Sequence, residues 1–417
     1  MAEDPGAVVR SAQSVVQSEV QSEATYRILI STGEVSGDLQ GALLIAALQR
    51  QAEQAQIQVE LVATGGDRMA QAGAKLLANT SAIGSIGLFE SLPYIRATRQ
   101  IQQRIRQFLR QHPPDLVVMI DYFAPNLALG RFLRQQFPQV PTVYYIAPQE
   151  WVWSVSPRNT QRILEITDRL LAIFPAEATY YQAQGGNVTW VGHPLIDRLP
   201  SSPDRTMARQ QLGIAADRVV VTLIPASRQQ ELQYILPVML AAANQIQATL
   251  PQVQFWIPLS LERYRTAIET ALHQTGVSAT IVSGQSQTLI AAADLVIAKS
   301  GTVNLETALL EVPQVVMYRV HPVTAWIAEH LLKFSAPFVS PPNLVMMQPI
   351  VPEFLQYQAT PERIAQAALN LLQQPEQQAK MRDHYRQMRA KLGEPGVCDR
   401  AAKEILELLK STNRQKN

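Results

Sequence analysis

Short apolar segments alternate with longer amphipathic segments along the chain. In the first half, near-continuous apolar runs occupy residues 26–31, 59–63, 116–120, 142–146, 170–174 and 188–191. In the second half, they occupy residues 219–224, 254–257, 280–282, 295–298 and 314–318. Runs of this length that are apolar throughout are typical of parallel strands covered by helices on both faces. The pattern therefore predicts eleven parallel strands, connected by helices, in two series.

A segment with three prolines separates the two series. It covers residues 194–217 and has the composition of a linker. We predict an α/β protein with a flexible tail over 1–24 and two Rossmann-like domains, over 25–200 and 201–417, that face each other across a cleft. The second domain would include the helical segment 360–410. The length of 417 residues agrees with two domains.

Composition excludes several classes of protein. The net charge is only +2, which argues against a nucleic-acid partner. Cys398 is the single cysteine, so neither an internal disulfide nor a cysteine-rich metal site is expected, and a reducing cytoplasm suits the chain. The tail lacks the basic start and apolar stretch of a signal peptide, and no apolar run approaches the roughly 20 residues of a membrane span. Any membrane contact is therefore expected to be peripheral.

The first strand ends in a turn that is rich in glycine and polar residues. It covers residues 33–41, Gly-Glu-Val-Ser-Gly-Asp-Leu-Gln-Gly. Glycines at a helix start let a ligand approach the unpaired N–H groups, which favour anions. A simpler interpretation is a helix cap provided by Ser36 or Asp38. Because the turn holds more than a cap needs, we predict a substrate loop formed by Gly33, Glu34, Ser36, Gly37 and Asp38.

Asp121 directly follows the apolar run 116–120. An acid at the carboxyl end of a parallel strand lies at the rim where α/β proteins bind ligands. We expect apolar surroundings to raise the pKa of its carboxyl group towards values that suit a general base. The alternative is an Asx-turn or a helix cap.

Two further strand-to-helix turns carry candidate phosphate contacts. Arg228 follows the first strand of the second series, where a guanidinium could neutralise a departing diphosphate. The alternative is a surface ion pair with Glu231. At residues 300–306, Ser-Gly-Thr-Val-Asn-Leu-Glu, backbone N–H groups and hydroxyls could bind a diphosphate, and Glu306 could accept bonds from a ribose. A capping box is the alternative, although its spacing is four instead of three.

These strings resemble the motifs of the lipid-A-disaccharide synthase family. Residues 33–41 match Gly-Glu-x-Ser-Gly-Asp-x-x-Gly, and residues 300–306 match Ser-Gly-Thr-x-x-Leu-Glu, at every fixed position. Residues 225–231 match Pro-Gly-Ser-Arg-x-x-Glu except that Ala226 replaces glycine. The strand-end Ile-Asp, the aromatic stretch 144–153 and the turn 192–194 also follow the family. One segment departs, because residues 346–348 are Met-Met-Gln where the family has Ala-Gly-Arg.

The resemblance implies a GT-B type fold and an inverting glycosyltransferase. Such an enzyme transfers 2,3-diacylglucosamine from its UDP carrier to 2,3-diacylglucosamine 1-phosphate, which yields a β-1,6-linked disaccharide 1-phosphate and UDP. Asp121 would be the base and Arg228 the catalytic cation. The residues implied at the UDP are Ser227, Arg228, Ser300, Gly301, Thr302, Glu306 and Asn343. No cofactor or metal is expected, since the chain has no Asp-x-Asp pair.

Two other functions stay open at this point. A UDP-sugar epimerase shares the fold, and a non-catalytic glycolipid-binding relative would retain it. The sequence also leaves the oligomeric state open, including a homodimer.

An unusually apolar segment precedes a run of arginines. Residues 83–95 contain Ile86, Leu88, Phe89 and Leu92, and five arginines follow between residues 96 and 110. Apolar residues beside cations suit a peripheral site on an anionic bilayer. We expect this segment to bring the acceptor side to the inner leaflet of the inner membrane. The alternative is a core-packed loop followed by an ordinary amphipathic helix.

Overall fold

The computed structural model describes residues 25–80, 95–154, 156, 158–199, 204–225 and 229–414. Several predictions lie outside these residues: the tail 1–24, the apolar contacts Ile86, Leu88, Phe89 and Leu92, and the pair Ser227 and Arg228. The side chain of Glu34 also lies outside the described part.

The first unit is built on a seven-stranded parallel sheet in the order β3-β2-β1-β4-β5-β6-β7. Its strands are β1 Thr25–Ser31, β2 Gln58–Gly65, β3 Lys75–Asn79, β4 Leu116–Ile120, β5 Thr142–Tyr145, β6 Arg169–Ala172 and β7 Val188–Trp190. Its helices are α1 Glu34–Gln54, α2 Asp67–Gln71, α3 Ile95–Gln111, α4 Phe123–Gln136, α5 Arg158–Glu165, α6 Pro175–Ala183 and α7 Leu195–Arg198.

The second unit is built on a six-stranded parallel sheet in the order β10-β9-β8-β11-β12-β13. Its strands are β8 Val220–Ile224, β9 Gln254–Leu259, β10 Ala279–Ser283, β11 Leu295–Lys299, β12 Gln314–Tyr318 and β13 Glu353–Leu355. Its α-helices are α8 Arg205–Leu212, α9 Gln229–Tyr234, α10 Leu236–Thr249, α11 Arg265–Thr275, α12 Ser286–Ala292, α13 Val303–Leu309, α14 Pro322–Trp326, α15 Pro341–Met346, α16 Pro361–Gln373 and α17 Pro375–Lys391; α18 Val397–Arg414 follows.

The eleven predicted strands and the α/β fold class are confirmed. Every residue of the central strands β4, β8 and β11 is buried, as expected for strands covered on both faces. The pattern missed β3 and β13. Both are short edge strands with partly exposed residues, so neither produces a continuous apolar run.

The carboxyl edges of the two sheets face each other. Burial raises the pKa of the Glu306 carboxyl, which lies beyond β11, and the charge of Arg68, which follows β2, is close enough to offset part of that rise. The rings of Trp153, beyond β5, and Phe334, beyond β12, lie 4.9 Å apart, edge to face. Loops that follow parallel strands bind ligands in such folds, so the region between the two edges is the candidate site.

The predicted boundaries differ from the structure at two places. Residues 194–217 contain α7 and α8 in addition to connecting backbone. The last helix, α18, packs on α1 of the first unit, although the sequence grouped it with the second. Arg50 and Asp399 form an ion pair of 2.9 Å between these two helices. The two helices pack through an apolar face on each. The periodicity of apolar residues predicts that a helix face is buried, but it does not predict which unit covers that face.

Candidate active site

Asp121 lies at the carboxyl end of β4 in a backbone conformation that is uncommon for residues other than glycine. Its φ is 43°, and φ of Tyr122 is 52°. The backbone N–H of Asp121 donates to the carbonyl oxygen of Ile146 (3.0 Å), which follows β5 and also has a positive φ, 60°. Left-handed backbone at non-glycine residues is strained, and such residues concentrate at functional sites. The chain thus turns sharply at the candidate base.

Asp121 is exposed, so the expectation that apolar surroundings bury its carboxyl group is wrong. The left-handed turn directs it away from the buried strand that precedes it. The helix-cap interpretation is not supported, because Tyr122 is the N-cap of α4 and the helix has no side-chain cap. The carboxylate is accessible to solvent, as a base that meets a substrate hydroxyl must be.

Asn126 holds the turn at Asp121, and sequence reasoning did not identify this role. Its Nδ2 donates to the carbonyl oxygens of Asp121 (2.7 Å) and Ile120 (3.2 Å), and its Oδ1 accepts from the Ser31 hydroxyl (2.7 Å). The Tyr144 hydroxyl donates to the same Asp121 carbonyl, at 2.7 Å. Both Asn126 and Tyr144 are fully buried. The ends of β1, β4 and β5 are therefore fixed together beneath the candidate base.

The glycines of the turn at residues 33–41 allow close packing. Helix α1 begins at Glu34 with Gly33 as its N-cap and has no side-chain cap, so neither Ser36 nor Asp38 caps it. A Cβ at Gly33 would lie 2.5 Å from the Tyr122 ring, and one at Gly37 would lie 2.0 Å from Thr32 Oγ1. These glycines let α1 approach the neighbouring turns closely.

Asp38 shapes a different turn of the cleft rim. Its buried carboxylate accepts the backbone N–H groups of Gly66 (2.8 Å), Met69 (3.1 Å) and Arg68 (3.3 Å). It thereby organises the start of α2 and fixes the position of Arg68. The structure places Asp38 as a support for the rim, while Gly33 and Ser36 lie at the start of α1.

Glu306 is an ionic contact between the units. Its largely buried carboxylate pairs with Arg198 of α7. Burial raises the pKa of Glu306, and the opposing influence of Arg198 and Arg68 does not cancel that rise. A carboxyl group in this position can accept a hydroxyl of a ligand, and it also links the second sheet to the connecting segment.

The turn at residues 300–302 follows β11. The Ser300 hydroxyl donates to the carbonyl of Val339 (2.9 Å), and the Gly301 N–H donates to Asn304 Oδ1 (2.8 Å). These donors therefore build the turn. Thr302 is the N-cap of α13, and its side chain makes no capping hydrogen bond, so the capping-box interpretation is wrong.

Asn343 supports this turn from behind. It is fully buried, and its Nδ2 donates to the Val351 carbonyl (3.1 Å) and to Glu353 Oε2 (3.1 Å), while its Oδ1 accepts from Val351 N–H (2.9 Å). All its polar atoms are used inside the protein. The sequence predicted that Asn343 contacts UDP. In the structure, its side chain is instead buried behind the cleft surface.

Glu231 does not lie on the surface as the alternative for Arg228 supposed. It is buried and pairs with Lys299, at the end of β11, over 3.1 Å. This pair joins α9, which follows the Arg228 segment, to the strand that precedes Ser300. A buried charge pair therefore joins the helix that follows the first predicted phosphate turn to the strand that precedes the second.

A buried carboxyl group that the sequence did not indicate lies near Asp121. Glu177 of α6 accepts the N–H groups of Ile173 (2.8 Å) and Phe174 (3.2 Å). Burial, with a smaller contribution from the charge of Asp121, raises the pKa of Glu177 to about 7. Its hydrogen bonds to backbone identify it as a support for the turn after β6. The sequence does contain a signal for this role, because Glu177 is the third residue of the helix that follows Phe174, the position at which a capping box has an acid.

Comparison with known proteins gives a consistent result over nearly the whole chain. The family model described as lipid-A-disaccharide synthetase matches residues 28–407. A lipid-A-disaccharide synthase of Gloeothece citriformis is 55% identical over 381 residues, which cover 91% of this chain and 99% of the relative. Another, from Synechocystis sp., is 55% identical over 383 residues, with coverages of 91% and 97%.

A solved structure supports the architecture. The UDP-GlcNAc 2-epimerase of Neisseria meningitidis, bound to UDP-GlcNAc, resembles this chain with a TM-score of 0.63. It is 16% identical, and the match covers 93% of this chain and all of the epimerase chain. At this identity the likeness shows the fold, with two Rossmann-like units, and says nothing about the reaction.

Proposed function

Because the chain belongs to the lipid-A-disaccharide synthase family, we propose that it joins two acylated glucosamine units with the residues of the cleft described above. The chain is a glycosyltransferase of lipid A biosynthesis. Its substrates are acylated glucosamines: the donor is UDP-2,3-diacylglucosamine and the acceptor is 2,3-diacylglucosamine 1-phosphate. The match over residues 28–407 carries this conclusion.

Asp121 acts as the general base in this proposal. The acceptor 6-hydroxyl gives its proton to the carboxylate while its oxygen attacks the anomeric carbon of the donor. The new C–O bond forms as the bond to the UDP oxygen breaks, and UDP leaves with the electron pair. One displacement inverts the anomeric centre, so a second carboxylate is unnecessary. The exposed side chain on a rigidly held turn supports this role.

The second unit holds the leaving group. Arg228 would neutralise the negative charge that develops on the diphosphate. Ser227 and the turn from Ser300 to Thr302 would bind the phosphate oxygens. Thr302 makes the most direct contact of that turn in this proposal, because Ser300 and Gly301 have internal hydrogen-bond partners. Glu306 accepts ribose hydroxyls, with Arg198 holding its carboxylate in place.

Product analysis tests the function. The protein is incubated with UDP-2,3-diacylglucosamine, with and without 2,3-diacylglucosamine 1-phosphate, and UDP and disaccharide are quantified by mass spectrometry. We expect equal amounts of both products, only when the acceptor is present. An altered UDP-sugar that forms without acceptor would instead identify an epimerase, and donor binding without either product would identify a non-catalytic relative.

We also propose that the first unit docks on the inner leaflet of the inner membrane. Helix α3 carries five arginines and no acidic residue. Arg96, Arg99, Arg104 and Arg110 are exposed, so their charges are available to anionic headgroups. Among the described helices, none combines the length and the apolar composition needed to cross a bilayer.

Vesicle co-sedimentation tests the docking. We expect the wild type to bind vesicles with anionic lipids, and both Leu88→Ser/Phe89→Ser and Arg99→Gln/Arg104→Gln to bind several-fold less. Arg363→Gln/Lys380→Gln, at exposed residues of α16 and α17 in the second unit, removes the same number of positive charges and is the matched control. Circular dichroism checks folding. Equal binding by well-folded variants, or no binding by the wild type, contradicts the proposal.

A further inference from the structure

Exposed apolar side chains concentrate on one segment of the second unit. Nine large apolar side chains are exposed in the described part of the chain, and five of them lie within residues 323–334. These five, which we call the apolar rim, are Val323, Trp326, Leu331, Leu332 and Phe334. Leu331 is 64% exposed and Trp326 is 50% exposed. Single exposed apolar residues need no explanation, but a cluster of this kind marks a binding surface.

The backbone holds the apolar rim in place. Helix α14 continues into a π-helix, Ile327–Leu331, which is a rare form often found at functional sites. The N–H groups of Leu332 and Phe334 donate to the carbonyls of Ile327 (2.9 Å) and Ala328 (2.8 Å). Lys333 between them has a φ of 49°. The outward position of these side chains is therefore built into a hydrogen-bonded segment.

The apolar rim borders the cleft and belongs to its nucleotide side. The His321 ring, at the start of α14, lies 5.7 Å from the ring of Tyr234, at the end of the helix that follows Arg228. At the other end, Phe334 contacts Trp153 of the first unit. Beyond the rim, the Val339 carbonyl accepts the Ser300 hydroxyl of the phosphate turn. The rim thus spans the edge of the cleft next to the proposed leaving-group site.

We propose that the apolar rim binds the acyl chains of the donor sugar, an inference that rests on the proposed function. The donor carries two acyl chains on the sugar attached to UDP, so they emerge close to the phosphate turn. Apolar chains gain about 0.8 kcal/mol per CH₂ that is removed from water. Because the rim is fixed to the nucleotide side of the cleft, it contacts the donor's chains and not those of the acceptor.

Donor binding with chains of two lengths tests this proposal. Titration calorimetry gives the Kd of a UDP-2,3-diacylglucosamine with long acyl chains and of the same donor with chains several methylenes shorter. We expect the wild type to bind the longer donor more tightly. In Trp326→Ser/Leu331→Ser this preference should fall about tenfold, since the substitutions remove two apolar contacts. Leu331→Met, which keeps an apolar side chain, and Met207→Ser, at an exposed apolar residue outside the rim, should keep the preference.

The outcomes separate this proposal from the proposed function. A wild type without chain-length preference, or a folded double serine variant that retains it, overturns the apolar rim as the acyl-chain site. If the double variant keeps the preference but loses binding to anionic vesicles, the rim contacts the bilayer and the proposal is equally wrong. Binding of both donors without any disaccharide in the presence of acceptor would contradict the proposed function alone.

Discussion

The ends of two neighbouring strands, β4 and β5, meet in strained backbone around Asp121. Asp121, Tyr122 and Ile146 all have positive φ, and a β-branched residue such as Ile146 rarely adopts that conformation. Each such residue costs on the order of 1–3 kcal/mol and persists only when its surroundings enforce it. Here Asn126 and Tyr144 enforce it through hydrogen bonds to the Asp121 carbonyl. The position of the carboxylate therefore depends on two residues that do not reach the cleft.

Asn126→Asp tests this dependence. Aspartate keeps the size and can still accept from Ser31, but it cannot donate to the Asp121 carbonyl. We expect kcat to fall at least about tenfold with little change in donor KM, because a displaced base slows only the chemical step. Tyr144→Phe removes one of the two bonds and should have a smaller effect in the same direction. A folded Asn126→Asp protein with normal kcat, or one in which only KM changes, would show that the turn does not need this support.

At the scale of elements, the phosphate turn depends on an edge strand of three residues. Glu353, the first residue of β13, accepts the N–H groups of Val339 (3.0 Å) and Ser340 (2.9 Å) and holds Asn343. Val339 in turn accepts the Ser300 hydroxyl. The edge strand, α15 and the phosphate turn thus form one hydrogen-bonded unit.

Asn343→Ala should weaken this unit without touching the ligand. Loss of a buried amide that satisfies three partners should lower the free energy of unfolding by about 1–3 kcal/mol. Donor affinity should fall several-fold while acceptor affinity stays constant, as calorimetry can measure. The exposed neighbour Gln348 provides the control Gln348→Ala, which should change neither. Lower stability with unchanged donor affinity would confine Asn343 to holding the second sheet together.

The sequence predicted those elements whose burial requires a recognisable pattern of apolar residues. Central strands such as β4 and β11 are apolar throughout because both faces are covered, and their positions were predicted within a residue or two. The edge strands β3 and β13 carry no such pattern. Motifs located the turns at Asp121 and Ser300, because a polar residue directly follows an apolar run at each place. The partners of each side chain depend on residues far along the chain, such as Ser31 for Asn126, and single-sequence patterns do not contain that information.

A departure from the family pattern also has a structural consequence. Met347, where the family has glycine, follows α15 with a φ of 51°. Glycine adopts this conformation without strain, whereas methionine does not. The helix nevertheless ends at the same place, because the N–H groups of Met347 and Gln348 donate to carbonyls of α15.

At the scale of the whole molecule, the chain passes to the second unit after α7 and returns between α17 and α18, and the backbone near these two crossings lies close together. Gly192 and Gly393 have φ values of 93° and 95°, and a Cβ at Gly393 would lie 3.3 Å from the Gly192 Cα. Between the crossings, the Asp197 carboxylate accepts N–H groups at the start of α18, including those of Gly396 (2.7 Å) and Cys398 (2.7 Å). These contacts form a junction between the two units.

His193 makes the junction sensitive to acid. Its buried ring lies against Phe174, its Nδ1 accepts the Leu195 N–H (3.2 Å), and burial lowers its pKa to about 3. Below about pH 6.5, His193 is protonated in the unfolded chain but stays neutral in the folded chain. Its contribution to the free energy of unfolding is therefore lost as pH falls from about 6.5 to about 3. Over that full range the loss is on the order of 5 kcal/mol.

Urea unfolding of the wild type and His193→Asn at pH 7 and pH 5 tests this contribution. The wild type should lose about 2 kcal/mol more than the variant between the two pH values, since asparagine does not titrate. The raised pKa of Glu177 acts in the opposite direction over this range, but it is common to both proteins and cancels in the difference. Identical pH dependence would show that His193 is protonated equally in both states.

The proposed glycosyl transfer depends on a single exposed carboxylate, that of Asp121, on a rigidly held turn. Asp121→Asn keeps the shape of the side chain but cannot accept the proton of the acceptor hydroxyl. The decisive measurement is the rate of disaccharide formation by this variant, with the donor Kd determined on the same sample. We predict a rate at least about 10²-fold below that of the wild type with an unchanged donor Kd. A rate within a few-fold of the wild type would contradict the assignment of Asp121 as the base.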